Sequence, residues 1–197
     1  LATVQKAIEA VKKCQPNLSG MGAGTGFTPI VFRPEQEEAI EKTLKQFKTG
    51  SRMLWNAKMR FGKTLSALQV VKKSGFAKTI IVTHRPVVDD GWYEDFQKIF
   101  YDTDDYTYGS KGHGTAIEDL LNSGKKFVYF ASIQDLRGSS TVGGKFDKND
   151  AVFSLDWDLV IVDEAHEGTT TALGDDVIKN LVKEENGYDT KFLALSG

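Results

Sequence analysis

The chain has 197 residues, a formal net charge of −2 and a single cysteine, Cys14. A domain of this length buries about 70% of the surface its unfolded chain exposes, so it needs no disulfide or structural metal to hold it together. No apolar run approaches the roughly 18 residues of a membrane span, no basic-then-apolar leader opens the chain, and the charge balance does not mark a polyanion binder. These features together predict a cytoplasmic protein with no membrane partner. The chain opens on Leu1 and stops at Gly197 directly after an apolar run, which reads as a piece of a longer protein.

In chain order, Ala2 to Lys13 predicts a short amphipathic helix, with Val4, Ala7, Ile8 and Val11 at helical spacing. The glycine-rich run Ser19 to Gly26 has neither G-x-G-x-x-G spacing nor a strand before it, so it reads as a linker. The expected organisation is therefore an N-terminal helix and linker over residues 1–26 and one domain over 27–197. A helix is expected from Pro34 to Phe47, a strand from Arg52 to Asn56, a helix from Lys63 to about Lys73 and a buried strand from Lys78 to Thr83. Trp92, Phe96 and Ile99 mark the next helix, and Asp102 to Gly114 reads as polar loop. Further on come a helix at Thr115 to Leu121, a strand at Phe127 to Ala131, a loop at Gly138 to Asp150, a strand at Leu159 to Val162, a helix at Val177 to Val182 and a last strand at Phe192 to Leu195. Short apolar strands alternating with helices predict an α/β fold: a mostly parallel central sheet with helices on both faces.

Two stretches carry chemistry. Ala57-Lys-Met-Arg-Phe-Gly-Lys63-Thr64 lies between an expected strand and an expected helix, the context of a phosphate loop. The first turn of a helix has unpaired N–H groups and partial positive charge, and a tight loop aims them at a polyphosphate. Gly62 permits close backbone approach, Lys63 supplies a cation for the β and γ phosphates, and the Thr64 hydroxyl can ligate Mg²⁺. Ala57 stands where the pattern G-x-x-x-x-G-K-[ST] has its first glycine. A surface loop that happens to read Gly-Lys-Thr is the plainer alternative.

The second stretch is Leu159-Val-Ile-Val162 running into Asp163-Glu164-Ala165-His166, 100 residues beyond Lys63 (163 − 63). An apolar strand ends and two carboxylates follow at its C-terminal edge, where open α/β sheets bind ligands. There Asp163 can hold Mg²⁺ through water, and Glu164 can orient or deprotonate an attacking water. Hydrolysis of a γ-phosphate needs a phosphate cradle, a metal and a positioned water. A lone Asp-Glu pair is more often a solvated turn, and it is the coincidence with the upstream loop that favours nucleotide chemistry.

These residues resemble the superfamily 2 helicases and translocases. Lys63-Thr64 matches their motif I and Asp163 to His166 their motif II in its D-E-A-H form. Phe32-Arg-Pro-Glu-Gln36 looks like the segment whose glutamine reads adenine, which implies nucleotide roles for Arg33 and Gln36. Thr83-His-Arg-Pro86 looks like motif Ia and Ala131-Ser-Ile-Gln134 like motif Ib, implying nucleic-acid contacts at His84, Arg85, Ser132 and Gln134. Leu195-Ser-Gly197 looks like the start of motif III, implying that Ser196, with His166, couples hydrolysis to movement. Within the superfamily, the likeness is strongest to type I and type III restriction subunits. It covers Phe32 to Gly197 and implies a RecA-like lobe using ATP and Mg²⁺ on DNA, duplex DNA first. Many members have a glycine where Arg60 stands, so its side chain bears on how the loop wraps phosphates. Nothing here resembles motifs IV to VI. Those belong to a second RecA-like lobe whose arginine reaches the γ-phosphate, and such an arginine is worth a factor of about 10³–10⁵. The resemblance therefore implies a second lobe, and methyltransferase or specificity subunits, as partners.

Other classes stay in view. A P-loop kinase or nucleotide switch would use the same loop, but no Asn-Lys-x-Asp base reader is present. A silent DNA-binding scaffold would not need both Lys63 and Glu164. Trp92, Tyr93, Phe96 and Phe100 suit core packing better than base stacking, and His113 lies in a Gly-rich loop without a metal-ligand pattern.

Overall fold

The computed structural model describes residues 28–146, 148–165, 172–185 and 188–197. The helix expected at Ala2 to Lys13, the linker and His166 lie outside the described residues.

Helix α1 (Pro34–Thr49) starts with proline in its first turn, where a missing N–H costs nothing, and with Gln36 accepting the Arg33 backbone N–H at 2.8 Å. Its buried stripe is Gln36, Ile40, Thr43 and Phe47. Then follow β1 (Arg52–Asn56), α2 (Lys63–Ser74), β2 (Lys78–Thr83), a 3₁₀ turn at Pro86–Val88 and α3 (Asp89–Ile99). Gly75, at φ +70°, closes α2 in the left-handed conformation that glycine adopts without strain. The second half runs β3 (Tyr106–Ser110), α4 (Ile117–Asn122), β4 (Lys126–Ser132), α5 (Ile133–Arg137), a 3₁₀ turn at Ser140–Val142, α6 (Asp150–Ser154), β5 (Leu159–Asp163), α7 (Ala172–Leu181), a small antiparallel β6 (Glu184–Glu185) and β7 (Tyr188–Asp189), and β8 (Lys191–Ser196).

Six strands form one sheet in the order β1-β8-β5-β2-β4-β3, every neighbouring pair parallel. Alternate residues feed two cores, as a period of two demands. Ile81, Val128, Phe130, Leu159 and Ile161 pack beneath α1, α2 and α3 with Ile40, Leu68 and Trp92. Ile80, Val82, Phe127, Val160 and Val162 pack on the other face with Leu120, Leu136, Phe153 and Val177, beneath α4 to α7. Both faces of β2 and β5 are buried, which is why their sequences are continuous apolar runs.

The structure corrects the reading of Asp102 to Gly114 as loop, because β3 lies inside it. It is an edge strand that pairs only with β4, so half of its surroundings are not core and its sequence is polar. Tyr108 turns inward and its hydroxyl donates to the buried Asp89 carboxylate at 2.5 Å, while Ser110 Oγ donates to the same carboxylate at 2.6 Å. His113, for which no carboxylate partner was visible in the sequence, has Nε2 3.2 Å from Asp90 Oδ1. Trp92, Phe96 and Phe100 are core residues, as their spacing predicts.

Candidate functional site

All six strands end on one rim. The register aligns Asn56 with Ser196 across β1 and β8, and Thr83 with both Asp163 and Ser132 across β5, β2 and β4. The Ala57 N–H donates to the Ser196 carbonyl at 2.8 Å, so the candidate phosphate loop leaves the sheet tied to the end of β8. A Cβ on Gly197 would lie 2.2 Å from the Ala57 carbonyl oxygen and 2.8 Å from Lys63 Nζ. The ammonium of Lys63 therefore sits beside the terminus of the strand that separates β1 from β5.

The loop has the geometry of an anion cradle. Gly62 is the N-cap of α2 at φ +80°, contributes no side chain to the first-turn N–H groups, and no acidic residue stands in that turn. Those donors and the positive end of the helix are left for a ligand. Arg60 is also left-handed, at φ +66°, in the conformation that suits the glycine many superfamily members have there. Its exposed backbone is held from α1: Arg33 Nη2 donates to the Arg60 and Phe61 carbonyls, both at 2.8 Å, and Gln36 Nε2 donates to the Phe61 carbonyl at 2.7 Å. Arg33 and Gln36 thus brace the loop. Gln36 is nearly buried, and each end of its amide has one partner within the protein. Between α1 and the loop lies a cavity of about 520 Å³ lined by Arg33, Glu35, Trp55, Met59, Arg60 and Phe61.

Asp163 is buried at the end of β5. Its Oδ2 accepts the Trp92 indole N–H at 3.1 Å and its Oδ1 the Glu164 backbone N–H at 2.9 Å. Burial pushes the carboxyl above its ordinary range and the Glu164 charge adds to the rise. The Trp92 N–H and the Lys63 charge oppose it without winning. Lys63 Nζ lies beside Gly197 at the end of β8, and β8 is the neighbour of β5, whose end carries Asp163, so the two distant stretches share one part of the rim. Glu164 takes a left-handed backbone, φ +55°, which costs a non-glycine residue of order 1 kcal/mol. The Thr64 hydroxyl donates to Asp95 on α3. Thr64 and Asp163 are hard oxygen donors of the kind that suits Mg²⁺, which binds few protein groups and keeps several waters. No cluster of three or more His, Cys, Asp or Glu that could hold a metal exists among the described residues.

The other expected residues fall on the same rim, farther along. His84 is half-buried and its Nδ1 has no hydrogen-bond partner, while Arg85 is exposed. Ser132 caps α5, accepting the Asp135 N–H at 3.2 Å, and Gln134 is exposed. Two residues of the site carry no site signal in the sequence: Trp92 reads as core, and Asp95 belongs to no motif. The nearest approach to one is a carboxylate three residues after Trp92, on the flank of an otherwise apolar helix stripe.

The six-stranded parallel sheet with helices on both faces, with the candidate loop after β1 and Asp163 at the end of β5, is a RecA-like fold of the kind found in helicase cores. Residues 29–195 match the family described as "Type III restriction enzyme, res subunit", and the chain belongs to that family as a helicase-like ATPase domain. It is 29% identical over 153 residues to a Mycoplasma pneumoniae protein named "Putative type II restriction enzyme and methyltransferase RM.MpnORF110P C-terminus", covering 70% of this chain and 20% of that one. The chain thus spans about a fifth of the curated relative it matches. Among solved structures, the fold is shared with the Sulfolobus solfataricus SWI2/SNF2 ATPase core in complex with dsDNA (TM-score 0.63, 17% identity, 88% of this chain and 34% of that one). It is shared too with the UvsW helicase of bacteriophage T4 (0.59, 14%, 100% and 70%). The Type ISP restriction-modification enzyme LlaGI, as a nuclease-deletion mutant with a DNA substrate mimic, also matches (0.52, 16%, 85% and 17%).

Proposed function

We propose that this chain is the ATP-binding lobe of an ATP-dependent DNA helicase or translocase of a restriction-modification enzyme, active when paired with a second RecA-like lobe. The observation that carries the proposal is the convergence, on one sheet rim, of a helix start without a side-chain cap bearing Lys63, whose Nζ lies at the end of β8, and the buried Asp163 at the end of the neighbouring β5. Lys63 and the N–H groups of α2 would take the β and γ phosphates, with Ala57, Arg60 and Gly62 shaping the loop. Thr64 and Asp163 would hold Mg²⁺, which when bound neutralises and orders the triphosphate. Glu164 would orient the attacking water and receive its proton. The nucleoside would enter the cavity lined by Arg33 and Arg60, and Gln36, which braces the Phe61 carbonyl and keeps spare hydrogen-bonding capacity on its amide, would read the adenine edge. Ser196 touches the loop through its carbonyl and would report nucleotide state along β8, with His166 as its partner in coupling.

His84, Arg85, Ser132 and Gln134 follow β2 and β4 on the same rim and would meet the DNA backbone. The two DNA-bound structures that share this fold support that direction. Methyltransferase or specificity subunits would be supplied by the rest of the enzyme, a cytoplasmic assembly. In the full-length protein Lys63→Ala should abolish Mg²⁺-ATP binding and turnover, read by nucleotide titration and phosphate release; ordinary turnover in that variant would remove the site assignment. DNA should stimulate the wild-type rate. Indifference to DNA would favour the phosphotransferase or switch reading instead.

A further inference from the structure

One helix reaches both side chains assigned to the metal. On α3, Trp92 and Asp95 stand three positions apart and so share a face. Trp92 donates its indole N–H to Asp163 Oδ2 at 3.1 Å, and Asp95 accepts the Thr64 hydroxyl. We infer that Trp92 and Asp95 are positioning residues that set the two magnesium-holding side chains, an inference that rests on the ATP-site reading above.

The chemistry of the two contacts is complementary. A carboxylate can only accept, so the Thr64 hydroxyl must spend its proton on Asp95. Its lone pairs are then turned to a cation instead of competing for a donor. The other Asp95 oxygen faces Lys98 Nζ at 3.7 Å, which keeps the carboxylate from swinging away. At Asp163 the two N–H groups, from Trp92 and from the Glu164 backbone, engage one oxygen each. The carboxylate plane is thereby fixed, and each oxygen retains a lone pair for a metal-bound water. Trp92 is itself enclosed, 1% exposed within the core beneath α3, so packing fixes where its N–H points. Partners behind metal-holding side chains typically matter by 10- to 100-fold in metal affinity.

The test uses the full-length protein and titrates Mg²⁺ against binding of a non-hydrolysable, fluorescent ATP analogue, with a parallel measurement in EDTA. Trp92→Phe keeps an aromatic ring in the core and removes the donor. Asp95→Ala removes the acceptor at a position only partly buried, and Asp95→Asn retains an acceptor oxygen. Trp92→Phe and Asp95→Ala should raise the Mg²⁺ concentration at half-saturation about tenfold. Analogue binding in EDTA should stay unchanged, and Asp95→Asn should restore most of the loss. Unchanged midpoints would overturn the inference. So would an equal fall with and without Mg²⁺, since that is what a merely structural role predicts. Failure of the wild-type protein to bind the analogue more tightly with Mg²⁺ would instead remove the ATP-site reading on which the inference rests.

Discussion

Two helices leave the same rim of the sheet and begin in opposite ways. α2 follows β1 through Gly62, a left-handed N-cap with no side chain and no acidic residue behind it. α5 follows β4 directly, its first turn capped by Ser132 Oγ on the Asp135 N–H and carrying the acidic Asp135, whose carboxylate Lys111 and Lys148 grip at 2.7 and 2.9 Å. Topology makes the two positions equivalent, yet only one leaves its N–H donors and positive pole available. A parallel sheet therefore offers several helix starts at its C-terminal edge, and capping chemistry selects the one that can take a polyphosphate.

Filling the open start should have the largest effect on that contrast. At Gly62 a Cβ would meet Gln36 Nε2 at 2.5 Å, and the φ of +80° is unfavourable for any side chain. Gly62→Ala should cost about 1–2 kcal/mol of stability from backbone strain. It should also dislodge Gln36 from the Phe61 carbonyl and weaken ATP by at least about tenfold, the equivalent of roughly 1.4 kcal/mol. Thermal melts and nucleotide titration on one preparation would check both. A variant that binds ATP as the wild type does would mean that the open cap is not what the nucleotide uses.

The open start was legible in the sequence because its signal is local: an apolar strand, a loop, Gly-Lys-Thr and a helical stripe lie in one continuous run. β1 and β2 have the expected bounds for the same reason. What was not legible depends on partners distant in the chain. Tyr106 and Tyr108 look like loop residues until β4 and Asp89 are beside them. Trp92 looks like a core residue because it is one, and only the fold brings its N–H to a carboxylate 71 positions away. α5 was missed because five residues carry too little periodicity, although Ser132 and Asp135 form a readable cap.

The acidic side of the site sharpens the comparison by the cost it carries without ligand. Asp163 has a folded pKa above its unfolded value of about 3.8, chiefly through burial. Its contribution to stability is therefore fully present below that unfolded value and is lost as pH rises through the folded one. At neutral pH the empty fold holds a buried carboxylate whose charge is incompletely offset. Asp163→Asn removes the charge and keeps an oxygen for the Trp92 N–H, though its amide nitrogen then faces the Glu164 N–H, which loses its acceptor and offsets part of the gain. The variant should melt above the wild type at pH 7–8, by about 2–4 °C for each kcal/mol relieved, with the gap narrowing toward pH 4. Stabilisation by Mg²⁺-ATP should disappear at the same time. A lower melting temperature at neutral pH would reverse the assigned sign.

The smallest effect belongs to the closed start. Ser132 has two candidate roles, as the cap of α5 and as a contact to the DNA backbone, and the two respond differently to substitution. Removing the cap with Ser132→Ala should cost about 1 kcal/mol, whichever other role is real. Ser132→Asp and Ser132→Asn both keep an acceptor for the Asp135 N–H, so both should hold stability near wild type. Only the aspartate adds a negative charge facing the DNA path, and salt screens such a charge strongly. If Ser132 meets phosphate, Ser132→Asp should weaken DNA binding at low salt while Ser132→Asn does not, as read by DNA titration at two ionic strengths. Equal DNA affinity for both variants would leave Ser132 as a cap alone, and the contrast between the two helix starts would then mark the boundary of the ligand-binding rim.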